Sequence, residues 1–289
     1  MTHGSAEALR DLALRHLPAE TAERWTALLR PGLRLAVAGS ADPAVGRLGG
    51  LPALPADAEW PVWEGHGPLS FVASIDCAAL PSGALDIDLP GEGTLLFFYF
   101  DGQLDGGDAT VLAEDPESRP GARVIHVTAD AGPVAERPAP EGITAYPAVP
   151  LTARAGMTAA EPWHPSVQTE FAPDSTVGER YDHPVCAQGF LDALWDFDGE
   201  PGHRIGGHPY AVQNPVELEV AHGVLDGDAG WDDPRLAGEA GRWVLLAQFD
   251  SEDAAEMMWG DCGALYWLIR PEDLAERRFD RAVFTWQCA

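Results

Sequence analysis

The chain of 289 residues contains no lysine: all 18 basic residues are arginines, against 46 acidic ones, and the net charge is −28. A phosphate backbone is bound by neutralising it with lysine and arginine, so this balance argues against nucleic acid. It disfavours anionic membranes for the same reason. Cysteine is scarce. Cys77, Cys186, Cys262 and Cys288 lie far apart and form no CxxC pair, which reads as reduced, mostly buried thiols and not as a disulfide framework. Long apolar runs are missing too: the run at residues 95–100 is strand-sized, far short of the ~20 residues that span a bilayer. Residues 1–30 interleave Glu7, Asp11, Glu20 and Glu23 with apolar side chains and lack the unbroken apolar core of a signal peptide. These absences together predict a cytoplasmic chain whose acidity solubilises its surface.

Core-forming residues are plentiful. A hydrophobic fraction of 46%, with 10 Trp and 10 Phe, excludes the disordered class. Residues 5–17 predict a helix with Ser5 as N-cap, and Pro18 starts a second helical turn, giving an N-terminal helical segment over 1–32. After Pro31-Gly32 the punctuation changes. Short runs at 33–38, 69–75, 94–100, 123–127, 216–220, 243–249, 264–269 and 282–287, separated by Gly, Pro and Asp, read as strands. Asp101-Gly102 and Asp226-Gly227 mark turns. Short helices are expected around Phe190–Trp195 and over 271–279, the latter with proline first, acids next and arginines last. Residues 113–142 read as loop around one strand. The predicted fold is mainly β, roll- or sandwich-like, with a few peripheral helices (α+β by strict counting), as a single domain over 33–289.

That domain is duplicated. Arg47-Leu48-Gly49-Gly50-Leu51-Pro52 returns as Arg204-Ile205-Gly206-Gly207-His208-Pro209. An apolar run ending in Asp76 returns as one ending in Asp250, and the run after Gly93 is echoed after Gly263. The halves cover approximately 33–150 and 151–289, with loop lengths that differ as cheap surface insertions do. Paired glycines allow positive φ or close backbone approach, and the prolines Pro52 and Pro209 stiffen the exit. A nearly continuous apolar strand is buried on both faces, and an aspartate at its end can bond the following turn.

These motifs resemble the YwqG-like family of bacterial proteins. The resemblance rests on Leu48-Gly49-Gly50-Leu51-Pro52-Ala53-Leu54-Pro55, Glu59-Trp60-Pro61, Pro68-Leu69-Ser70-Phe71, Trp259-Gly260-Asp261-Cys262-Gly263, and Pro271-Glu272-Asp273-Leu274 followed by Phe279-Asp280. It implies a mainly β, roll-like, internally duplicated fold in a cytoplasmic protein, and brings no established activity with it. Some members resemble parts of toxin and immunity gene clusters, which implies a protein-binding role by association. Family members commonly carry an amide-bearing residue where Ser74 stands, as Gln248 does in the second half.

No complete catalytic set is present. No serine sits in a G-x-S-x-G elbow, and Cys262 lies beside Asp261, a charge that disfavours the thiolate. His203 and His208 flank the second glycine pair with His183 upstream, but the H-E-x-x-H helix is absent, so neither metal nor cofactor is expected. Asp226, Asp228, Asp232 and Asp233 lack the glycine and glutamate of a calcium loop, having Trp231 and Ala237 there. The glycines of 102–107 sit among acids, the wrong charge for a phosphate cradle. One cluster remains. If the halves pack about a pseudo-twofold axis, Arg47, Arg204, His208, Trp259 and Asp261 converge as a ligand site. Alternatively, the arginines pair with Asp76, Asp250 or Asp261 and join the halves. The functional expectation is a non-enzymatic binding protein whose partner is another protein, of toxin-immunity type or a cationic surface. The alternative is a small-molecule-binding protein or enzyme using the glycine-turn cleft.

Overall fold

The computed structural model describes residues 4–171, 181–199, 202–225, 230–231 and 233–289. Ser5 caps helix α1 (Ala6–His16), its hydroxyl accepting the Ala8 N–H at 3.1 Å. Pro18 then separates α1 from α2 (Ala19–Thr26). In chain order the strands are β1 (Arg30–Val37), β2 (Gly46–Leu48), β3 (Ala53–Pro55), β4 (Val62–Trp63), β5 (Gly67–Pro68), β6 (Ser70–Asp76) and β7 (Thr94–Tyr99). There follow β8 (Ala122–Val127), β9 (Val134–Glu136), β10 (Val149–Thr158), β11 (His203–Gly206), β12 (Val244–Asp250), β13 (Ala264–Ile269) and β14 (Val283–Gln287). The helices after α2 are α3 (Pro165–Phe171), α4 (Gln188–Asp198), α5 (Val216–Val224), α6 (Arg235–Ala240) and α7 (Pro271–Ala275).

Ten strands form one antiparallel sheet in the order β14-β13-β12-β11-β1-β10-β2-β6-β7-β8. Repeat partners stand at equal distances from the central β1–β10 pair: β2 with β11, β6 with β12, β7 with β13, β8 with β14. Even the β-bulge recurs, between Phe71 and Ala73 on β6 and between Leu245 and Ala247 on β12. The duplication read from the motifs is therefore a property of the sheet.

Side chains alternate across the central strands. Leu33, Leu35, Leu151 and Ile205 enter the main core, while Arg34, Arg154 and Arg204 occupy the opposite face. The sheet curls until the two copies meet. Phe97 lies 5.0 Å from Phe249 and 5.3 Å from Trp267, and Tyr99 stacks on Phe284 at 4.7 Å. Truncating any one of these fully buried side chains to alanine costs about 2–5 kcal/mol. On the outer face, α1, α2, α3 and α4 enclose a second core around Leu9, Trp25, Val167 and Phe190. Val216 and Val220 of α5 pack on Leu245, Tyr266 and Leu268.

Four expectations need correction. Residues 216–220 are the start of α5 and not a strand. Val-Glu-Leu-Glu-Val alternates as a strand does, but Pro215 precedes it and Val216, Glu217, Val220 and Ala221 are the buried positions, a helical stripe. The helix expected over 271–279 stops at Ala275; Arg277 takes φ 58° and a 3-10 turn follows at Phe279–Arg281. Residues 113–142 hold a second strand, β9, which pairs with β3. Of the cysteines only Cys77 is buried, and Cys262 is exposed. Asp226-Gly227 lies outside the described residues, as do Asp228 and Asp232. The glycine turns match expectation, with φ of 56° and 74° at Gly49 and Gly50 and of 63° and 70° at Gly206 and Gly207. A Cβ on Gly49 would stand 2.3 Å from the Pro147 carbonyl oxygen.

Candidate functional site

Arg47 and Arg204 hold equivalent places in the repeat, yet β1 and β10 stand between their strands, about 14 Å at ~4.8 Å per strand. Arg47 donates to the Leu51 carbonyl and lies 3.4 Å from Glu136, not against Asp76, Asp250 or Asp261. Trp259 packs edge-on against Tyr99 and Tyr146. The Tyr146 carbonyl in turn accepts the Gly50 N–H at 2.9 Å, so Trp259 belongs with the first glycine turn. Asp261 is exposed, and its backbone carbonyl receives the Ala289 N–H. Arg204 and His208 stay with the second turn, where Arg204 Nη1 donates to the His208 carbonyl at 3.5 Å.

The two repeat aspartates act as turn caps: Asp76 accepts the Ala78 N–H and Asp250 the Ser251 N–H. Burial pushes the Asp250 carboxyl up to about 6, partly offset by the Ser251 bond and Arg204. The three histidines of interest diverge. His183 accepts the Val185 N–H at 3.3 Å and tilts onto Phe171. His203 accepts the Asp250 N–H at 3.0 Å, and burial brings its imidazole down to about 4 against the pull of Glu252. His208 goes elsewhere.

Strand register assembles a row that sequence motifs do not announce. Arg154 on β10 faces Arg34 on β1, and Arg34 faces Arg204 on β11. The line continues through Gln248, Tyr266 and Thr285 on the next three strands. One pleat away, Gly156, Gly32 and Gly206 are likewise directly opposite one another. Arg34, Arg154 and Arg204, with Gly32, Gly156 and Gly4, line a cavity of about 380 Å³. A Cβ on Gly32 would stand 3.0 Å from the Gly206 carbonyl oxygen and one on Gly156 3.2 Å from that of Gly4, so glycine here admits close approach of backbone to backbone.

Arg204, Met157 and Phe197 are shared with a second cavity of about 270 Å³. Its walls include Leu9, Leu191, Leu194 and Pro209, with Glu161 among them. Burial raises the Glu161 carboxyl to about 7, reinforced by Glu217 and opposed by Arg204. Trp195, which is 53% exposed, stands at this cavity with its ring 5.9 Å from that of Tyr210. Arg204 also lies over the Tyr210 ring at 5.5 Å. Gln248 fixes the loop behind them, accepting the Tyr210 N–H at 2.9 Å and donating to the Gly202 carbonyl at 3.2 Å. An arginine trough therefore opens directly into an apolar cavity.

Beside it lies a buried polar cluster of His164, His208 and Glu217. His164 precedes α3, His208 follows the second glycine turn, and Glu217 is in the first turn of α5. His208 Nε2 is 2.9 Å from the Leu28 carbonyl oxygen, and its backbone N–H donates to Thr158 Oγ1 at 2.7 Å. Burial, then Arg30 and His164, bring the His208 imidazole down to about 3. His164 Nδ1 is 2.7 Å from Ser166 Oγ, and its Nε2 is 3.3 Å from Glu217 Oε1. Burial alone would push the Glu217 carboxyl up; the neighbouring imidazoles of His164, 3.3 Å away, and His208 outweigh it and hold the group below its ordinary value.

Sequence reasoning found Arg204 and His208 and missed Arg34, Arg154, Glu161, His164 and Glu217. Leu33-Arg34-Leu35 does show an arginine alternating with core leucines, but its neighbours depend on pairing between segments ~120 residues apart. Glu217 was concealed by the strand-like alternation of its segment. Residues 46–288 match the family model of a domain of unknown function, DUF1963. No curated protein matches the chain.

Proposed function

The chain belongs to the DUF1963 family, and we propose that it is a binding protein for a small amphipathic anion, with the acid group on the arginine row and the apolar part in the adjoining cavity. The observation that carries this reading is the in-register row Arg154–Arg34–Arg204 over glycine backbone, in a chain whose net charge is −28. Three guanidinium groups on adjacent strands offer an anion several charged donors along one line. Arginine forks match carboxylate and phosphate geometry and lose little order in binding them. The apolar walls reward a hydrocarbon portion at about 25 cal/mol per Å² buried.

Titration with decanoate, decanol and acetate, followed by tryptophan fluorescence with Trp195→Phe as control, tests this. Decanoate is expected to bind more tightly than either decanol or acetate. Arg154→Gln is expected to weaken it about tenfold, the loss of one charge-assisted bond of ~1.5 kcal/mol. Equal affinity for decanoate and decanol, or unchanged affinity in Arg154→Gln, would sink the reading.

A protein partner is the second reading. It rests on the acidic surface, on the exposed aromatic residues Trp195 and Tyr181, and on the YwqG-like resemblance with its toxin and immunity associations. A cytoplasmic setting and a bacterial lineage rest on the same motifs and composition. A stoichiometric partner released by salt in a pull-down supports it; an empty column at both salt concentrations removes an abundant partner.

A further inference from the structure

We propose that His164, His208 and Glu217 form a binding site for a divalent first-row transition metal. The three residues come from separate elements, are all buried, and offer ligand atoms within 4.8 Å of one another. Four of their atoms, His164 Nε2, His208 Nδ1 and both oxygens of Glu217, have no hydrogen-bond partner among the described residues. His164 Nε2 and Glu217 Oε1 are close at 3.3 Å but lack the angles of a hydrogen bond. Buried polar atoms left without partners cost about 1–3 kcal/mol each. With one ligand atom from each of the three residues within 4.8 Å of the others, a single shared partner can satisfy them together.

Chemistry selects a cation. Each imidazole has its other nitrogen engaged: His208 Nε2 with the Leu28 carbonyl at 2.9 Å, His164 Nδ1 with Ser166 Oγ at 2.7 Å. The Leu28 carbonyl can only accept, so the His208 proton sits on Nε2 and its Nδ1 keeps the lone pair a metal needs, while the Ser166 hydroxyl can accept a hydrogen bond from His164 Nδ1 when Nε2 is called on as a ligand. Two imidazoles and one carboxylate suit zinc, cobalt, nickel or ferrous iron rather than calcium or magnesium. Metal–ligand bonds of about 2.0–2.2 Å place neighbouring ligand atoms ~3.4 Å apart on a tetrahedral ion, close to the spacing already present between His164 and Glu217.

The site is open on one side. A cavity of about 270 Å³ reaches His164 and Glu217 and is lined also by Arg30, Ser166 and Trp243. Three protein ligands with an open position are the pattern of a site that takes water or a further ligand. Arg30 opposes a cation there, while the Glu161 carboxyl, which feels Glu217, favours one. The competing occupant is a proton. The Ser166 N–H also points at His164 Nδ1, at 3.1 Å, and in that tautomer Nε2–H faces Glu217 as a buried His–Glu pair.

Cobalt and zinc binding to chelator-stripped full-length protein separates the two. A metal site takes up one equivalent of Co²⁺, with a visible ligand-field absorption that one equivalent of Zn²⁺ displaces. His208→Ala and Glu217→Gln each weaken uptake at least ~100-fold, and circular dichroism reports whether each variant is folded. His164→Gln is the second histidine probe where His208→Ala fails to fold. Wild-type protein that stays colourless with excess Co²⁺ and shows no zinc-dependent rise in Tm overturns the proposal. So do folded variants that bind cobalt as the wild type does. Neither readout involves the arginine row, so this site stands or falls independently of the anion reading.

Discussion

The two copies of the repeat build the same scaffold and furnish it differently. Arg47 and Arg204 are equivalent, but the cross-strand neighbour of Arg47 is Pro150 whereas that of Arg204 is Arg34. Gly46 and Leu51 in the first copy correspond to His203 and His208 in the second. A side chain at Gly46 would collide with the Ser74 carbonyl at 2.1 Å. Ser74 is replaced by the fully buried Gln248, which ties down the loop carrying His208. Both copies keep the glycine pair, the bulge and the capping aspartate, because those make the turn and the strand. Among the described residues, the buried arginine, histidines and carboxylates lie in the second copy. The shared parts make the scaffold, and the copies differ in what they bury.

The largest test of that division is Gln248→Ala against Ser74→Ala. Removing the amide strands the Tyr210 N–H and the Gly202 carbonyl in a buried place, so Gln248→Ala is expected to cost about 2–4 kcal/mol. Ser74→Ala is expected to cost less than about 1 kcal/mol by the ordinary range for such changes. Urea unfolding measures both, and equal losses would break the comparison. Gly49→Ala comes next. Positive φ and backbone contact at 2.3 Å give an expected cost of about 2 kcal/mol, following the strain scale for such positions. Gly65→Ala, where φ is also positive but nothing lies within 4 Å, should cost about 1 kcal/mol.

The pH dependence sharpens the picture of the second copy. Glu161 has its carboxyl raised to about 7 by burial, with Glu217 adding to it. Between its unfolded value and 7 the folded state holds a proton that the unfolded chain has lost, so stability falls as pH rises through that window. Glu161→Gln should lessen the fall between pH 5 and pH 8 by roughly 1–2 kcal/mol, measured as Tm or urea midpoint across that range. A parallel curve in the variant would show that the group does not titrate this way. The smallest effect is Arg47→Ala. This half-buried arginine faces an exposed Glu136, and loss of such a pair is worth at most about 1 kcal/mol. Anion affinity should not change in Arg47→Ala, in contrast to Arg154→Gln.

What was legible in the sequence were features with short-range causes. Glycine pairs at positive φ, aspartates at strand ends, the Ser5 cap and the β-run lengths all declare themselves locally, and their recurrence exposed the duplication. The candidate site was half legible. Arg204 and His208 sit in the repeated motif and were picked out for that reason, but so was Arg47, which the sheet carries three strands away. Arg34, Arg154 and Gly32 acquire meaning only through the eight-residue register between β1 and β10, which no local pattern specifies. His164 and Glu217 lie in segments whose helical character was missed. Periodicity over five residues cannot separate a strand from the first turns of a buried helix.

The palindromic sheet has a consequence for how the chain is closed. In the first copy the strand flanking β2 is β10, which follows in sequence. In the second copy the strand in that place beside β11 is β1, which precedes both copies of the repeated motif. The opening strand is thus the clasp between the two halves, fastened to β10 on one side and to β11 on the other. Among the strand pairings, that of β1 with β11 spans the greatest sequence separation, so it is expected to form late, because loop closure precedes its reward. The segment that carries Arg30 and Arg34 is therefore both the latch of the second sheet half and a wall of both cavities flanking it. A ligand bridging Arg34 and Arg204 across these two strands is therefore expected to hold the latch shut as well.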